Sequence, residues 1–106
     1  MMENYRNQHK NKRSKLDFIY AIVKNCQEPR TPKSILVLSE IRQADFYELF
    51  EICIDKFLIE KTDLNKIDKS HKKNYVYYKA TNKGLDFIIL YDKMVVYIEK
   101  MNLILK

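Results

Sequence analysis

The chain has 106 residues and carries 20 Lys and Arg against 14 Asp and Glu, a formal charge of +6. That length suits one domain with a modest core, which a second copy would help to stabilise. One Gly and two Pro are too few for an all-β or loop-rich protein, so helix should dominate. No apolar run approaches the roughly 18 residues a membrane span needs. The first residues lack the apolar core of a signal peptide, so the cytoplasm is the expected compartment. The positive charge permits an anionic partner without specifying a fold.

Residues 1–14 hold Arg6, Lys10, Lys12 and Arg13 against Glu3, with too few apolar side chains to pack. They read as a disordered basic arm. Leu16 to Gln27 is an amphipathic helix with Leu16, Ile19, Tyr20, Val23 and Cys26 on its apolar side. Ser14 or Asp17 can serve its N-terminus, and Pro29 stops it. Thr31 then stands as N-cap with Pro32 at the first helical position, and Ile35, Leu36 and Leu38 supply the buried side of a second helix. Glu40 to Arg42 forms a turn without glycine. In the third helix, Phe46, Leu49, Phe50, Cys53 and Phe57 recur at three- and four-residue spacing, a core stripe. Its outer face holds Gln43, Asp45, Tyr47, Glu48, Glu51, Ile52 and Asp55, and is acidic. Cys26 and Cys53 lack CxxC spacing and read as small buried hydrophobes rather than metal ligands.

Leu58 to Lys61 and Tyr75 to Ala80 are candidate strands. In the second, Val76, Tyr78 and Ala80 alternate with Tyr75, Tyr77 and Lys79, so one set faces the core. The connection between them carries Lys66, Lys69, His71, Lys72 and Lys73 and, without a turn glycine, reads as mobile. Thr81 caps a last helix with two adjacent apolar heptad stripes. Phe87, Leu90, Met94, Tyr97, Met101 and Ile104 form the first; Ile88, Tyr91, Val95, Ile98, Asn102 and Leu105 form the second. One stripe would pack this helix on its own domain. The second stripe is assigned to a partner helix in an antiparallel homodimer.

Helix, helix and hairpin in this order predict a mainly α chain with a small β-hairpin (α+β). The expected fold is a winged helix-turn-helix with a long C-terminal dimerisation helix. The expected division is a basic arm over 1–14, a winged-helix domain over 15–80 and the dimerisation helix over 81–106. Four segments carry a family likeness: Lys12-Arg-Ser-Lys-Leu-Asp-Phe-Ile-Tyr-Ala-Ile22, Thr31-Pro-Lys-Ser-Ile-Leu36, Phe57-Leu-Ile-Glu60 and Thr81-Asn-Lys-Gly-Leu-Asp-Phe87. In order and spacing they resemble the archaeal winged-helix proteins typified by the ten-kilodalton "10a" DNA-binding proteins. The resemblance implies a dimer, joined through the C-terminal helix, that binds double-stranded DNA as a chromatin protein or transcriptional regulator. Arg42 departs from the small polar cap usual before the third helix in that family.

An acidic third helix sets carboxylates against phosphates if it enters a major groove, so only its first residues can approach bases. Arg42, Gln43 and Tyr47 are the candidates there, and Gln43 has the donor–acceptor pair that reads adenine. Arg30 and Lys33, at the start of the preceding helix, suit a phosphate. The grip is expected from the hairpin connection, through Lys66, Lys69, His71, Lys72 and Lys73. The alternative is a winged-helix module that binds proteins through the third helix. No Gly-rich phosphate loop, HExxH or paired cysteine ligands are present, so neither an enzyme, a metal nor a cofactor is expected.

Overall fold

A computed structural model describes residues 13–62 and 76–101. It contains α1 (Lys15–Lys24), α2 (Pro32–Ser39), α3 (Gln43–Asp55), β1 (Ile59–Thr62), β2 (Tyr77–Ala80) and α4 (Asn82–Lys100). The α+β winged-helix architecture expected from the sequence is the one observed. No helix among the described residues is long and apolar enough to cross a membrane.

Capping residues fix the helix starts. Ser14 and Asp17 act together: the Ser14 hydroxyl accepts the Asp17 N–H, and the Asp17 carboxylate accepts the Ser14 N–H, a reciprocal capping box. Thr31 accepts the Ser34 N–H at 3.2 Å, with Pro32 in the first turn. Arg42, by contrast, starts α3 without a side-chain cap bond. Arg13 and Ser14 therefore belong to the folded part rather than to the arm, of which residues 1–12 lie outside the described residues.

α1 packs against α2, α3 and α4 and forms the centre of the helical layer. Ile22, Val23 and Cys26 from α1 and the turn after it meet Ile35, Phe46, Leu49, Phe50, Cys53, Ile59 and Ile88 in one buried cluster. Some expected inward positions point out. Leu16 is 45% and Leu38 46% exposed, while Ile22 and Ser39 are buried. The helices sit rotated from the expected faces, because the side chain a helix buries depends on which neighbours it meets. α1 also stops at Lys24, short of Gln27.

β1 and β2 pair antiparallel from Ile59 opposite Ala80 to Thr62 opposite Tyr77. On the other edge of β2, Arg30 and Tyr78 exchange backbone bonds of 3.0 and 2.8 Å. The segment between α1 and α2 thus completes a third rung beside the hairpin. Tyr78 and Ala80 turn inward, with Tyr78 edge-on to Phe50 at 4.9 Å, whereas Val76 is 42% exposed.

The junction between α3 and β1 is unusual. Leu58 N–H reaches back to Cys53 O at 2.9 Å and Phe57 N–H to Ile54 O at 3.0 Å, the paired bonds of a Schellman cap. The left-handed position of that cap, normally glycine, is Phe57 at φ 61°. Its side chain is 70% exposed, contrary to its place in the expected core stripe, because the backbone has left the helix before reaching it. Opposite, Thr81 N–H bonds Leu58 O at 3.0 Å, and the Thr81 hydroxyl donates to Phe57 O at 2.5 Å and accepts Gly84 N–H at 3.0 Å. The chain's one glycine is needed for this closeness. A Cβ on Gly84 would lie 2.1 Å from Leu58 O and 3.1 Å from a Val23 methyl.

Candidate nucleic-acid interface

α2, the turn at residues 40–42 and α3 form the helix-turn-helix, and β1 with β2 forms the base of the wing. Glu40 makes the turn at φ 56°, a left-handed position without glycine. Arg13 braces it from outside. Its Nη1 donates to Ser39 O at 3.1 Å and to Glu40 O at 3.4 Å, satisfying carbonyls at the end of α2, while its guanidinium lies 4.8 Å over the Phe18 ring. Asn25 adds a second brace, donating to Ala21 O at 2.9 Å and toward the buried Ser39 hydroxyl at 3.4 Å.

The residues expected to approach bases cluster at the start of α3. Arg42 and Gln43 are exposed and Tyr47 is 48% exposed. Arg42 is held by Asp45 through bonds of 3.1 and 3.0 Å, an exposed pair that a phosphate could displace at little cost. Beyond this end, α3 offers no cation: its 13 residues include Asp45, Glu48, Glu51 and Asp55 and neither Lys nor Arg. Ile52, expected on the outer face, is half-buried against the core.

Lys33 is exposed in the first turn of α2, whereas Arg30 is half-buried, its backbone committed to Tyr78. The free N–H groups expected at this helix start are fewer than the general rule gives. Pro32 has none, and that of Ser34 is taken by Thr31. On the hairpin, Glu60 stands opposite Lys79 and Lys61 opposite Tyr78, and the three charged residues are exposed. Lys66, Lys69, His71, Lys72 and Lys73 lie outside the described residues, as do Asn102 and Leu105.

The charge is divided unevenly. The described residues carry twelve Lys and Arg against eleven Asp and Glu, so this part of the chain is close to neutral. Residues 1–12, 63–75 and 102–106 together carry eight against three, which is nearly all of the +6.

The two stripes of α4 are used differently from the expectation. Ile88, assigned to a partner helix, is 4% exposed and belongs to the chain's own core. Tyr91, also assigned to the partner, stacks on Tyr20 of α1 with ring centroids 4.2 Å apart and donates its hydroxyl to Asp17. In return Tyr20 donates to Asp92 at 2.6 Å. This reciprocal pair of tyrosine–aspartate bonds fastens α4 to α1. Burial, with the bond to Asp17 second, pushes the Tyr91 hydroxyl pKa up; burial and the bond to Asp92 do the same for Tyr20. Val95 and Ile98 are half-buried. Among the described residues of the first stripe only Phe87 packs against the core, and Leu90, Met94, Tyr97 and Met101 are 43–65% exposed; Ile104 lies outside the described residues. α4 docks on a face turned from the expected one because α1 presents aromatic side chains to Tyr91.

No sequence pattern announced the Arg13 brace or the tyrosine clamp. The clamp partners are 72 and 74 residues apart, and a periodic reading assigns Tyr91 only to an apolar stripe. Cys26 and Cys53 are free thiols, both buried, each with its pKa pushed up to about 12 by burial. Among the described residues no group of three or more His, Cys, Asp or Glu could hold a metal ion.

Neither protein-family models nor curated protein sequences give a match to this chain. Solved structures do. The RosR protein of H. salinarum, from crystals grown in NaBr, is similar over 87% of this chain and 79% of its own, with TM-score 0.52 and 20% identity. A complex structure of hsRosR-S1 is similar over 88% of this chain and 79% of its own, again with TM-score 0.52 and 20% identity. A likeness at this identity speaks to the fold. It supports the winged-helix level of the resemblance and not the assignment to the "10a" proteins.

Proposed function

We propose that the protein is a double-stranded DNA-binding winged-helix regulator that grips the duplex mainly through its wing and works as a homodimer. The single observation carrying this reading is the division of charge. A nearly neutral frame holds an acidic α3, while the segment between β1 and β2 brings Lys66, Lys69, Lys72 and Lys73 against Asp63 and Asp68. Carboxylates along α3 would oppose phosphates flanking a major groove, whereas wing lysines neutralise phosphates irrespective of base sequence. Arg42, Gln43 and Tyr47 are then the residues left to touch base edges, with Lys33 and Arg30 on the backbone. The likeness to the RosR structures supports the winged-helix fold on which this reading rests.

The homodimer reading rests on the exposed side of α4, where Ile89, Leu90, Val96, Tyr97 and Met101 are 51–65% exposed. Five large apolar side chains left in water on one helix suit a second copy better than solvent. This side replaces Ile88 and Tyr91 as the central contacts; Val95 and Ile98 can still flank the interface.

Fluorescence anisotropy on random-sequence duplex DNA across a salt series tests the reading, with mass measured alongside. Micromolar or tighter binding that weakens steeply with salt is expected. Alanine at Lys69, Lys72 and Lys73 together should weaken binding to every duplex alike and reduce the salt slope by up to about 0.9 per lysine removed. An unchanged slope would remove the wing from the interface. The second reading, a protein-binding module, is favoured by the exposed Tyr47 on the acidic face of α3, and becomes first if no duplex binds at low salt.

A further inference from the structure

Several grooves open on the described surface. One, about 210 Å3 beside Phe18 and Leu49, is edged by Asp45 and Glu48 with Lys15. A second, about 340 Å3, runs along α4 by Val96 and Tyr97, inside the surface already read as a dimer contact. A third differs in kind. It occupies about 450 Å3 between α1 and α4, within the size range of small-molecule sites, and is lined by Arg13, Asp17, Tyr20, Lys24, Asn25 and Tyr91, with Ala21 between them.

Its walls combine a planar aromatic surface with positive charge. Tyr20 and Tyr91 lie 19° from parallel, and each hydroxyl is committed to an aspartate of the opposite helix. Asp17 and Asp92 thereby have tyrosine donors. Lys24 Nζ stands 5.8 Å over the Tyr20 ring, and Arg13 lies close enough to Tyr91 to act on its hydroxyl. Neither Lys24 nor Arg13 forms an ion pair among the described residues. One cation over the Tyr20 ring and a second on the groove wall offer a carboxylate its counter-charge, and the stacked rings offer a flat body its contact surface.

We propose that this groove binds a small planar organic anion, whose carboxylate meets Lys24 and Arg13 while its ring lies along the Tyr20–Tyr91 stack. The site is wired to the helix-turn-helix. The Arg13 that would meet the anion is the one that holds the Ser39 and Glu40 carbonyls in the turn before α3. Drawing the guanidinium toward an anion loosens that brace, so occupancy at α4 is felt at the start of α3. The binding itself does not depend on the DNA-binding reading; only an effect on DNA affinity would.

The test is an amide NMR titration of the full chain with benzoate, 2-naphthoate and indole-2-carboxylate, at ionic strength held constant with NaCl. Benzamide serves as the uncharged control. Saturable shifts are expected on α1 from Asp17 to Asn25, around Tyr91, and at Ser39 to Ile41, with Kd on the order of 1 mM for ligands this small. Benzamide should bind at least about fivefold more weakly. Lys24→Gln, at an exposed position, should weaken benzoate binding about three- to tenfold, and Lys24→Arg should restore most of it. The proposal is overturned if no acid gives saturable shifts at these amides, if benzamide matches benzoate, or if Lys24→Gln leaves the affinity unchanged. Binding of duplex DNA by the same sample is read separately, so failure of one reading is not mistaken for failure of the other.

Discussion

The first and second halves of α4 live in opposite surroundings. Up to Tyr91 the helix is part of the domain: Gly84 is pressed against the Leu58 carbonyl, Ile88 is in the core, and Tyr91 is clamped to α1. Beyond it, Val96 and Tyr97 are 59% and 62% exposed, although the composition hardly changes. One continuous apolar helix therefore serves as an anchor at its start and presents a surface afterwards. Apolar character alone does not say which half does which.

The anchor should be the more sensitive half. Gly84→Ala places a methyl where the Leu58 backbone oxygen already sits, and that oxygen cannot swing aside as a flexible side chain would. A loss of about 3 kcal/mol in urea unfolding, or failure to fold, is expected. Wild-type stability in this variant would mean that the start of α4 is not held against β1.

Removing one clamp hydroxyl should cost less. Tyr91→Phe or Tyr20→Phe should each lower stability by about 1 kcal/mol, and the double variant should be non-additive because both bonds hold the same two helices. The pH dependence has a definite sign. Both hydroxyls have pKa values raised in the folded state, so their contribution is intact below the unfolded tyrosine pKa of about 10 and is lost as pH climbs above it. Wild type should lose more stability than Tyr91→Phe over that alkaline range. Parallel pH curves would show that the Tyr91–Asp17 bond is not made in solution.

A smaller effect of opposite sign is expected across from Gly84. Phe57→Gly relieves a left-handed backbone and gives up little buried surface, so thermal and urea unfolding should show a gain of about 0.5–1 kcal/mol. Destabilisation would mean that the exposed ring packs on something in solution. The smallest change in monomer stability, under about 0.5 kcal/mol, should come from Leu90→Lys with Tyr97→Lys on the exposed face of α4. Sedimentation should nevertheless shift from a dimeric to a monomeric mass. A dimer that survives both lysines would place the interface elsewhere than on this face.

Local chemistry explains which features could be read in advance. Ser14, Thr31 with Pro32, and Thr81 mark helix starts because a cap needs only residues three positions away. The stripe Phe46, Leu49, Phe50 and Cys53 is legible because α3 is long enough to repeat its period. Errors arose where a side chain's direction depends on distant partners. Leu38 and Phe57 are apolar at plausible spacings yet exposed, one on a helix too short to fix its own rotation and the other past a left-handed turn. Of the candidate DNA contacts, Arg42, Gln43 and Tyr47 share one end of α3, while the wing lysines can be argued only from their charge and their place between β1 and β2.

By itself the sequence determined the order of three helices, a hairpin and a last helix, the starts of three helices, the acidic face of α3 and the concentration of positive charge in residues 1–12 and 63–75. These follow from interactions within a few residues and from simple counting. Tertiary structure alone decided the rest: that Gly84 is required by crowding rather than by its own φ, that Arg13 braces the turn before α3, and that Ile88 and Tyr91 face inward. Each depends on which atoms of another element stand within a few ångströms, and the period of a helix carries no record of its neighbours.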